Sequence, residues 1–330
     1  MGITEKIDEI KAEMAKTQKN KATNYHLGTL KAKIAKLRTQ LTEESKSTKG
    51  EGEGFEVEKL GHARIAMIGF PSVGKSTMLN VLTDTESLTA GYEFTTLTCI
   101  PGFIFHNDAK LQLLDLPGII EGAASGKGRG RQVIAVGKSS DLIMMILDTQ
   151  KGEEQKAKLT IELESVGIRL NQEKPQITVK PQSKGGIMVN CTVKRTKMDD
   201  KMIKNVMQEY KLHNVHIVMR DDYTIDQLID TIEGNRHYVK CLYVYNKIDT
   251  VSIEDVDHLA RLPNTTVISS GMSLGLDLLK EKLWEMLNLV RVYTKRKGSP
   301  PDLEDPLILT KGRGGYTVAV SLYEALLINF

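Results

Sequence analysis

The segment of this chain best equipped for chemistry is Gly69-Phe70-Pro71-Ser72-Val73-Gly74-Lys75-Ser76-Thr77. It fits G-x-x-x-x-G-K-S in full and follows an apolar run, ARIAMIG, that reads as a buried strand. Glycines at the first and sixth positions let the backbone close around an anion and aim N–H groups at it. Lys75 supplies a point charge suited to β- and γ-phosphate oxygens, and the Ser76 hydroxyl can ligate Mg²⁺. A helix expected over Thr77 to Leu82 adds the positive end of its dipole. A triphosphate is the ligand that such a loop fits.

Four shorter motifs bear on the same ligand. Asp115-Leu116-Pro117-Gly118 closes the strand-like KLQLL, where an aspartate can hold Mg²⁺ and a Gly118 N–H can sense the γ-phosphate. Asn246-Lys247-Ile248-Asp249 closes CLYVY. The Asp249 carboxylate there can accept from guanine N1–H and N2–H₂, groups that adenine lacks, and Lys247 is expected to lay its stem over the purine. A base that left those buried groups unpaired would be strongly rejected. Ser269-Ser270-Gly271 follows the strand-like TVI, with the Ser270 N–H expected at guanine O6. Between the phosphate loop and DLPG stands Tyr92-Glu93-Phe94-Thr95-Thr96-Leu97, in which Thr96, or alternatively Thr95, would complete the Mg²⁺ shell beside Phe94. DLPG or SSG alone is a weak signal; the ordered set points to a guanine-nucleotide-binding domain that hydrolyses GTP. Lys75, Thr96 and Gly118 are expected to carry the reaction. Many such sites place a glutamine just after DxxG to orient water; here Ile119 and Ile120 follow, so intrinsic turnover should be slow. Arg129 and Arg131 in GKGRGRQ read mainly as part of a solvated switch loop.

The elements that must position these residues follow from periodicity. Strand-like runs at 111–114, 142–147, 242–245 and 266–268 alternate with helical patterns, which predicts an α/β fold with a mainly parallel sheet. A final helix over 274–290 carries Trp284, read as core. From Asp115 to Asn246 is 131 residues, more than one strand and one helix need, and strand-like and helical runs within it predict an inserted α+β domain over 168–238. Apolar stripes at spacings of 3 and 4 predict two helices within 1–42, a hairpin. Between Lys11 and Leu41 that hairpin carries seven lysines and Arg38 against Glu13, a local +7 that resembles an electrostatic footprint for nucleic acid or an acidic partner. Residues 43–60 read as a Gly/Glu/Ser-rich linker.

Over the whole chain of 330 residues, hydrophobic residues make up 40%, charged residues 26%, and the net charge is only +3, a globular balance in which charge distribution matters more than the sum. The longest apolar run is far short of a membrane span, and the N-terminus lacks a signal-peptide core. Cys99, Cys191 and Cys241 show no metal-ligand spacing and fit reduced thiols in a cytoplasmic protein. His213 and His216 read as surface or strand-edge residues, and Asp199-Asp200 and Asp221-Asp222 as helix-start and turn residues.

With these residues in hand, the chain resembles the Obg-related GTPases of the translation-factor class. GFPSVGKST, YEFTTLT, DLPGIIEGA and GKGRGRQ carry the likeness. More narrowly it resembles the developmentally regulated GTP-binding proteins, and is placed in the first of their two eukaryotic subgroups by EMAKTQKNKAT, HLGTLKAKIAKLR, GIRLN, EGNRHYV and LVRVYTKRKG. The resemblance implies a basic helical hairpin (1–42), a GTPase domain (61–167 and 239–290), the inserted domain (168–238) and a partial β-grasp (TGS) domain (291–330) whose end, AVSLYEALLINF, has no counterpart in the family pattern. It implies Mg²⁺ as cofactor, and GTP/GDP, a stabilising regulatory protein, the ribosome and RNA as partners, with no membrane partner. Potassium is implied as an activator in some members, although Ser72 stands where built-in potassium sites usually have asparagine. The activity implied is that of a GTP-hydrolysing switch in translation and cell growth. The alternative is a nucleotide-stabilised ribosome- or RNA-docking protein with negligible turnover.

Overall fold

The structure, a computed structural model, describes residues 2–18, 20, 23–47, 59–83, 101–115, 137–293, 303–304 and 306–310. Its chain divides into two compact units, one formed by the N-terminal helices with Gln172–Tyr238 and the other holding the large sheet.

The large sheet is built from runs buried on both faces. Strands β1 (Ala63–Gly69), β3 (Ala109–Asp115) and β4 (Leu142–Asp148) are almost wholly buried, as parallel strands covered by helices must be. With β2 (Pro101–His106), β9 (His237–Asn246) and β10 (Thr265–Val267) they form the order β10-β9-β4-β1-β3-β2. The pairs β10·β9, β9·β4, β4·β1 and β1·β3 are parallel, and β2 is an antiparallel edge. The predicted α/β, mainly parallel architecture is therefore present. β1 lies between β3 and β4, so the chain leaves it in opposite directions, and the crevice outside its carboxyl end is where ligands bind in such sheets. Helices α3 (Lys75–Leu82) and α7 (Leu276–Leu287) cover one face through Met78, Leu79, Leu279 and Leu283; α4 (Gly152–Ser165) covers the other through Leu159 and Leu163. Trp284 packs against the first core and meets His106 edge-on at 6.2 Å. Two strands, β11 (Leu289–Val292) and β12 (Leu307–Thr310), form an antiparallel pair; residues 311–330, with the rest of the expected β-grasp segment, lie outside the described residues.

The insert differs in extent from its prediction. The short β5 (Ile168–Leu170) pairs with β9 of the large sheet, and the second unit takes up the chain only at Gln172. Within the insert, β6 (Ile177–Pro181), β8 (Val215–Met219) and β7 (Ile187–Cys191) form a three-stranded sheet. Helices α5 (Asp200–Glu209) and α6 (Ile225–Glu233) share its core through Ile203, Val206, Met207, Leu228 and Ile229. Thr224 caps α6, its hydroxyl accepting from Gln227 N while the Gln227 side chain takes the Thr224 N–H.

The two N-terminal helices, α1 (Ile3–Lys16) and α2 (Asn24–Ser47), are both present. They do not form a free-standing arm. Ala32 and Ala35 of α2 are part of the insert's core. Lys31 pairs with Asp226 at 2.6 Å, and Lys36 donates to the Glu209 carbonyl at 3.1 Å. Tyr210 and Thr39 both donate to the Glu233 carboxylate. Lys31 and Lys36, two of the lysines counted in the +7, are thus bonded to the insert, and the hairpin is a weaker electrostatic footprint than its charge sum implies.

Candidate functional site

Four sheet strands deliver three expected residues and one unexpected aspartate to one edge. The carboxyl ends of the parallel strands β1, β3, β4 and β9 carry Gly69, Asp115, Asp148 and Asn246. Register confirms the alignment: Met67 opposes Asp115, and Asp148 opposes Asn246. Ser269 and Ser270 lie just beyond β10.

The phosphate loop is held by close packing. A side chain at Gly69 would meet the Ile146 carbonyl at 2.6 Å, so only glycine lets β1 and β4 part this closely to the loop. Ser72 has φ 62° and Gly74 φ 93°, left-handed conformations that bend the loop back toward its helix. The Met78 N–H donates to the Gly74 carbonyl and opens α3, one turn past Lys75. Lys75 is buried, its ammonium donating to the carbonyls of Gly69 at 2.9 Å and Phe70 at 2.8 Å. Burial lowers its pKa against the opposing pull of the Asp115 charge. Burial likewise raises the pKa of Asp115, while the Lys75 charge and the Ser76 hydroxyl act in the opposite sense.

Ser76 and Asp115 therefore meet, as the Mg²⁺ expectation requires. The fit is chemical: both offer hard oxygen donors, and the buried carboxylate carries a desolvation penalty that a bound cation would relieve. Among the described residues there is no cluster of three or more His, Cys, Asp or Glu side chains.

Asn246 is the keystone between loop and base-recognition segments. It is 1% exposed. Its amide nitrogen donates to the Val73 carbonyl at 2.8 Å and to Ser270 Oγ at 2.9 Å. Its amide oxygen accepts from the Ser270 N–H at 2.9 Å. The Ser270 N–H, expected at guanine O6, here donates to Asn246, because the carbonyl end of a buried asparagine amide also needs a donor. Asp249 is oriented by Ser269, whose hydroxyl donates to Oδ1 at 2.6 Å.

Lys247 has partners beyond those expected. It sits in a left-handed conformation, φ 69°, its carbonyl accepting from the hydroxyls of Thr149 and Thr250. Its ammonium donates to Asp148 Oδ2 at 2.8 Å. Asp148 Oδ1 accepts the Gln150 N–H. Burial by itself would raise the Asp148 pKa, but these partners together hold it below the usual aspartate value. Asp148 and Thr149 were not singled out in the sequence; the available signal was an acidic residue ending an apolar strand, as in KLQLLD and LIMMILD.

Phe94, Thr95, Thr96, Leu116, Pro117 and Gly118, with Ile119, Arg129 and Arg131, lie outside the described residues. Among described residues, the structure brings the remaining phosphate-loop residues, Asp115, Asn246, Lys247, Asp249, Ser269, Ser270 and Gly271 to the same sheet edge.

Comparison with known proteins agrees with this geometry. The family described as 50S ribosome-binding GTPase matches residues 64–181, and the C-terminal region of the same domain matches residues 184–289. Developmentally-regulated G-protein 2 of Arabidopsis thaliana is 60% identical over 318 residues, 96% of this chain and 80% of the relative. Developmentally-regulated GTP-binding protein 2 of Homo sapiens is 58% identical over 330 residues, 100% of this chain and 91% of the relative. Its Dictyostelium discoideum homolog is 57% identical over the same span, again 91% of the relative. The human and Dictyostelium proteins carry the number 2, which does not support placement in the first subgroup. No helix among the described residues is long and apolar enough to cross a membrane.

Proposed function

The chain belongs to the developmentally regulated GTP-binding protein family and carries its GTPase domain, and on that premise we propose that it works as a slow GTP-hydrolysing switch associated with ribosomes. The observation that carries the reading is the Asn246 brace, which ties the phosphate loop to the segments expected to recognise guanine.

Lys75 would turn its ammonium from the Gly69 and Phe70 carbonyls toward the β- and γ-phosphate oxygens, neutralising charge as the γ-phosphoryl group leaves. The loop N–H groups and the N-terminus of α3 hold the triphosphate in line, so that little reorganisation accompanies the reaction. Ser76 and Asp115, with Thr96 from the segment ahead of β2, would hold Mg²⁺, which when bound supplies charge neutralisation across the phosphates. Asp249, fixed by Ser269, accepts from the guanine N1–H and N2–H₂ groups, and Lys247 covers the ring. Gly118 and Thr96 would sense the γ-phosphate, so the segments that carry them differ between GTP and GDP forms. Ribosome association is supported by the description of the matched family.

Ile119, where a water-orienting glutamine is common, favours a second reading in which GTP stabilises a ribosome-docking shape and turnover is negligible. Measuring turnover with and without K⁺ and the regulatory partner separates the two: a rate that stays negligible throughout selects the second. GTP turnover should fall in Lys75→Ala; equal rates refute the first reading. Asp249→Asn should shift preference from GTP toward xanthosine triphosphate, and an unaltered preference would remove Asp249 from the base site.

A further inference from the structure

The insert's sheet has two unlike faces. Strand alternation turns Val215, Ile217 and Met219 of β8, with Ile177 and Val179 of β6, into the core shared with α5, α6 and α2. The alternate residues form the other face in two cross-strand rows: Lys180, His216 and Met188, then Thr178, Val218 and Asn190. Four of the six are exposed and two are half-buried. The face holds no carboxylate and no Phe, Tyr or Trp; its one ring is the half-buried imidazole of His216, bonded to Asn190.

Charge is divided between the same two sides. Residues 174–197, which include β6, β7 and their connecting loops, hold six basic residues and no acidic one. Lys180, Lys184 and Lys194 of that stretch are exposed. Helix α6 carries Asp226, Asp230 and Glu233 and no basic residue, and basic groups of α2 meet it there, as in the Lys31–Asp226 pair; α5 holds two residues of each sign. A positive, solvent-facing stretch thus lies along the sheet as well as on the hairpin, where Lys16 and Lys33 are exposed.

We propose that the open face of the β6-β8-β7 sheet binds the phosphate backbone of double-stranded RNA. Lysine, histidine, asparagine and threonine all donate to phosphate or 2′-hydroxyl oxygens. With no Phe, Tyr or Trp, and its single imidazole half-buried and bonded to Asn190, the face lacks the row of stacking rings by which proteins hold unpaired bases. Recognition is therefore of duplex shape and backbone, independent of sequence and steeply dependent on salt. An acidic protein partner fits less well, because its interface would need apolar anchors and this face offers only Met188 and Val218. The inference builds on the ribosome association proposed above but is measured apart from the nucleotide site.

The test is anisotropy of a labelled 20-base-pair RNA duplex with the full chain between about 50 and 200 mM salt. K180E/K184E/K194E is expected to lower duplex affinity at least about tenfold, to make the salt dependence shallower by up to about three in log–log slope, and to leave GDP affinity and the unfolding midpoint unchanged. K16E/K33E on the hairpin is expected to lose much less. The proposal is overturned if the wild-type chain does not bind the duplex, if the triple variant binds as well as wild type, if the hairpin variant takes the larger loss, or if single-stranded RNA or poly-glutamate competes as well as duplex. Any of these with GTP turnover intact leaves the GTPase reading standing.

Discussion

Removing the Asp148 carboxylate should weaken GDP and GTP equally, by about fivefold, through Lys247. Asp148 Oδ2 lies 2.8 Å from the Lys247 ammonium. The side chains are 19% and 39% exposed respectively. A fully desolvated charge-assisted hydrogen bond contributes about 1.5–3 kcal/mol, and an exposed ion pair at most about 1. A half-exposed pair falls near the lower bound, about 1 kcal/mol, which is about fivefold in Kd. The effect reaches the nucleotide because Lys247 is held at both ends: its carbonyl takes the Thr149 and Thr250 hydroxyls, and its ammonium takes Asp148. Without the carboxylate, the side chain expected to cover the purine regains rotamer freedom that binding must then remove. The assay is equilibrium binding of labelled GDP to the wild-type chain, Asp148→Ala, Lys247→Ala and the double variant. The cycle should show coupling, with Asp148→Ala nearly silent when Lys247 is already alanine. An equal loss in both backgrounds would refute the reasoning, as would a loss confined to GTP, which would put Asp148 at the phosphate end.

Gly74→Ala should cut nucleotide retention at least about a hundredfold, because its Cβ would stand 2.4 Å from Asn246 Nδ2 at φ 93°, and left-handed backbone strain of about 1–2 kcal/mol adds to the lost brace; retention near wild type on a GDP-loaded filter would dismiss the Asn246 brace. Tyr210→Phe removes the 2.7 Å bond to Glu233 and should lower denaturant stability by about 1–2 kcal/mol, with an unchanged urea midpoint counting against that bond. The two strand-end aspartates should titrate in opposite senses in metal-free buffer. Burial raises the Asp115 pKa, so the folded chain holds that proton to higher pH than the unfolded chain; this contribution is present below 3.8 and lost as pH rises through the folded value, and Asp115→Asn should flatten the fall in unfolding midpoint toward neutrality. Asp148 is held low by Lys247 and the Gln150 N–H despite its burial, so its contribution is present above 3.8 and lost as pH falls through the folded value; Asp148→Asn should cost stability at neutral pH and nothing in acid.

The legible features are those whose causes are local. ARIAMIG followed by GFPSVGKST announces strand, loop and helix because burial on both sheet faces, left-handed glycine and a helix N-terminus are each written within a few adjacent residues. The strands and helices of the insert are also readable from periods of 2 and 3.6 residues: β6, β7, β8, α5 and α6 lie within a residue or two of the strand-like runs at 176–180, 186–191 and 215–219 and the helical runs at 200–210 and 224–232. Less legible were β2, an antiparallel edge opening on proline and glycine, and β5, three residues long, since neither carries enough periodicity to stand out. The extent of the insert was misjudged for that reason: Ile168 and Leu170 look like the start of a new domain until their pairing with β9 is known.

By itself the sequence determined the guanine-nucleotide chemistry, the parallel α/β frame and the presence of an insert, because motif geometry and hydrophobic period depend on residues close together in the chain. Only the tertiary structure decided how those parts are tied. Asn246 reaches Val73 across 173 residues, Lys247 meets Asp148 across 99, and Lys31 finds Asp226 across 195. A hydrogen bond between such distant residues leaves no mark on either segment's periodicity. An asparagine that contacts base and one that braces a loop are the same letter until the fold places a carbonyl and a donor beside it, and a lysine-rich helix reads as a polyanion surface until an acidic helix packs against it.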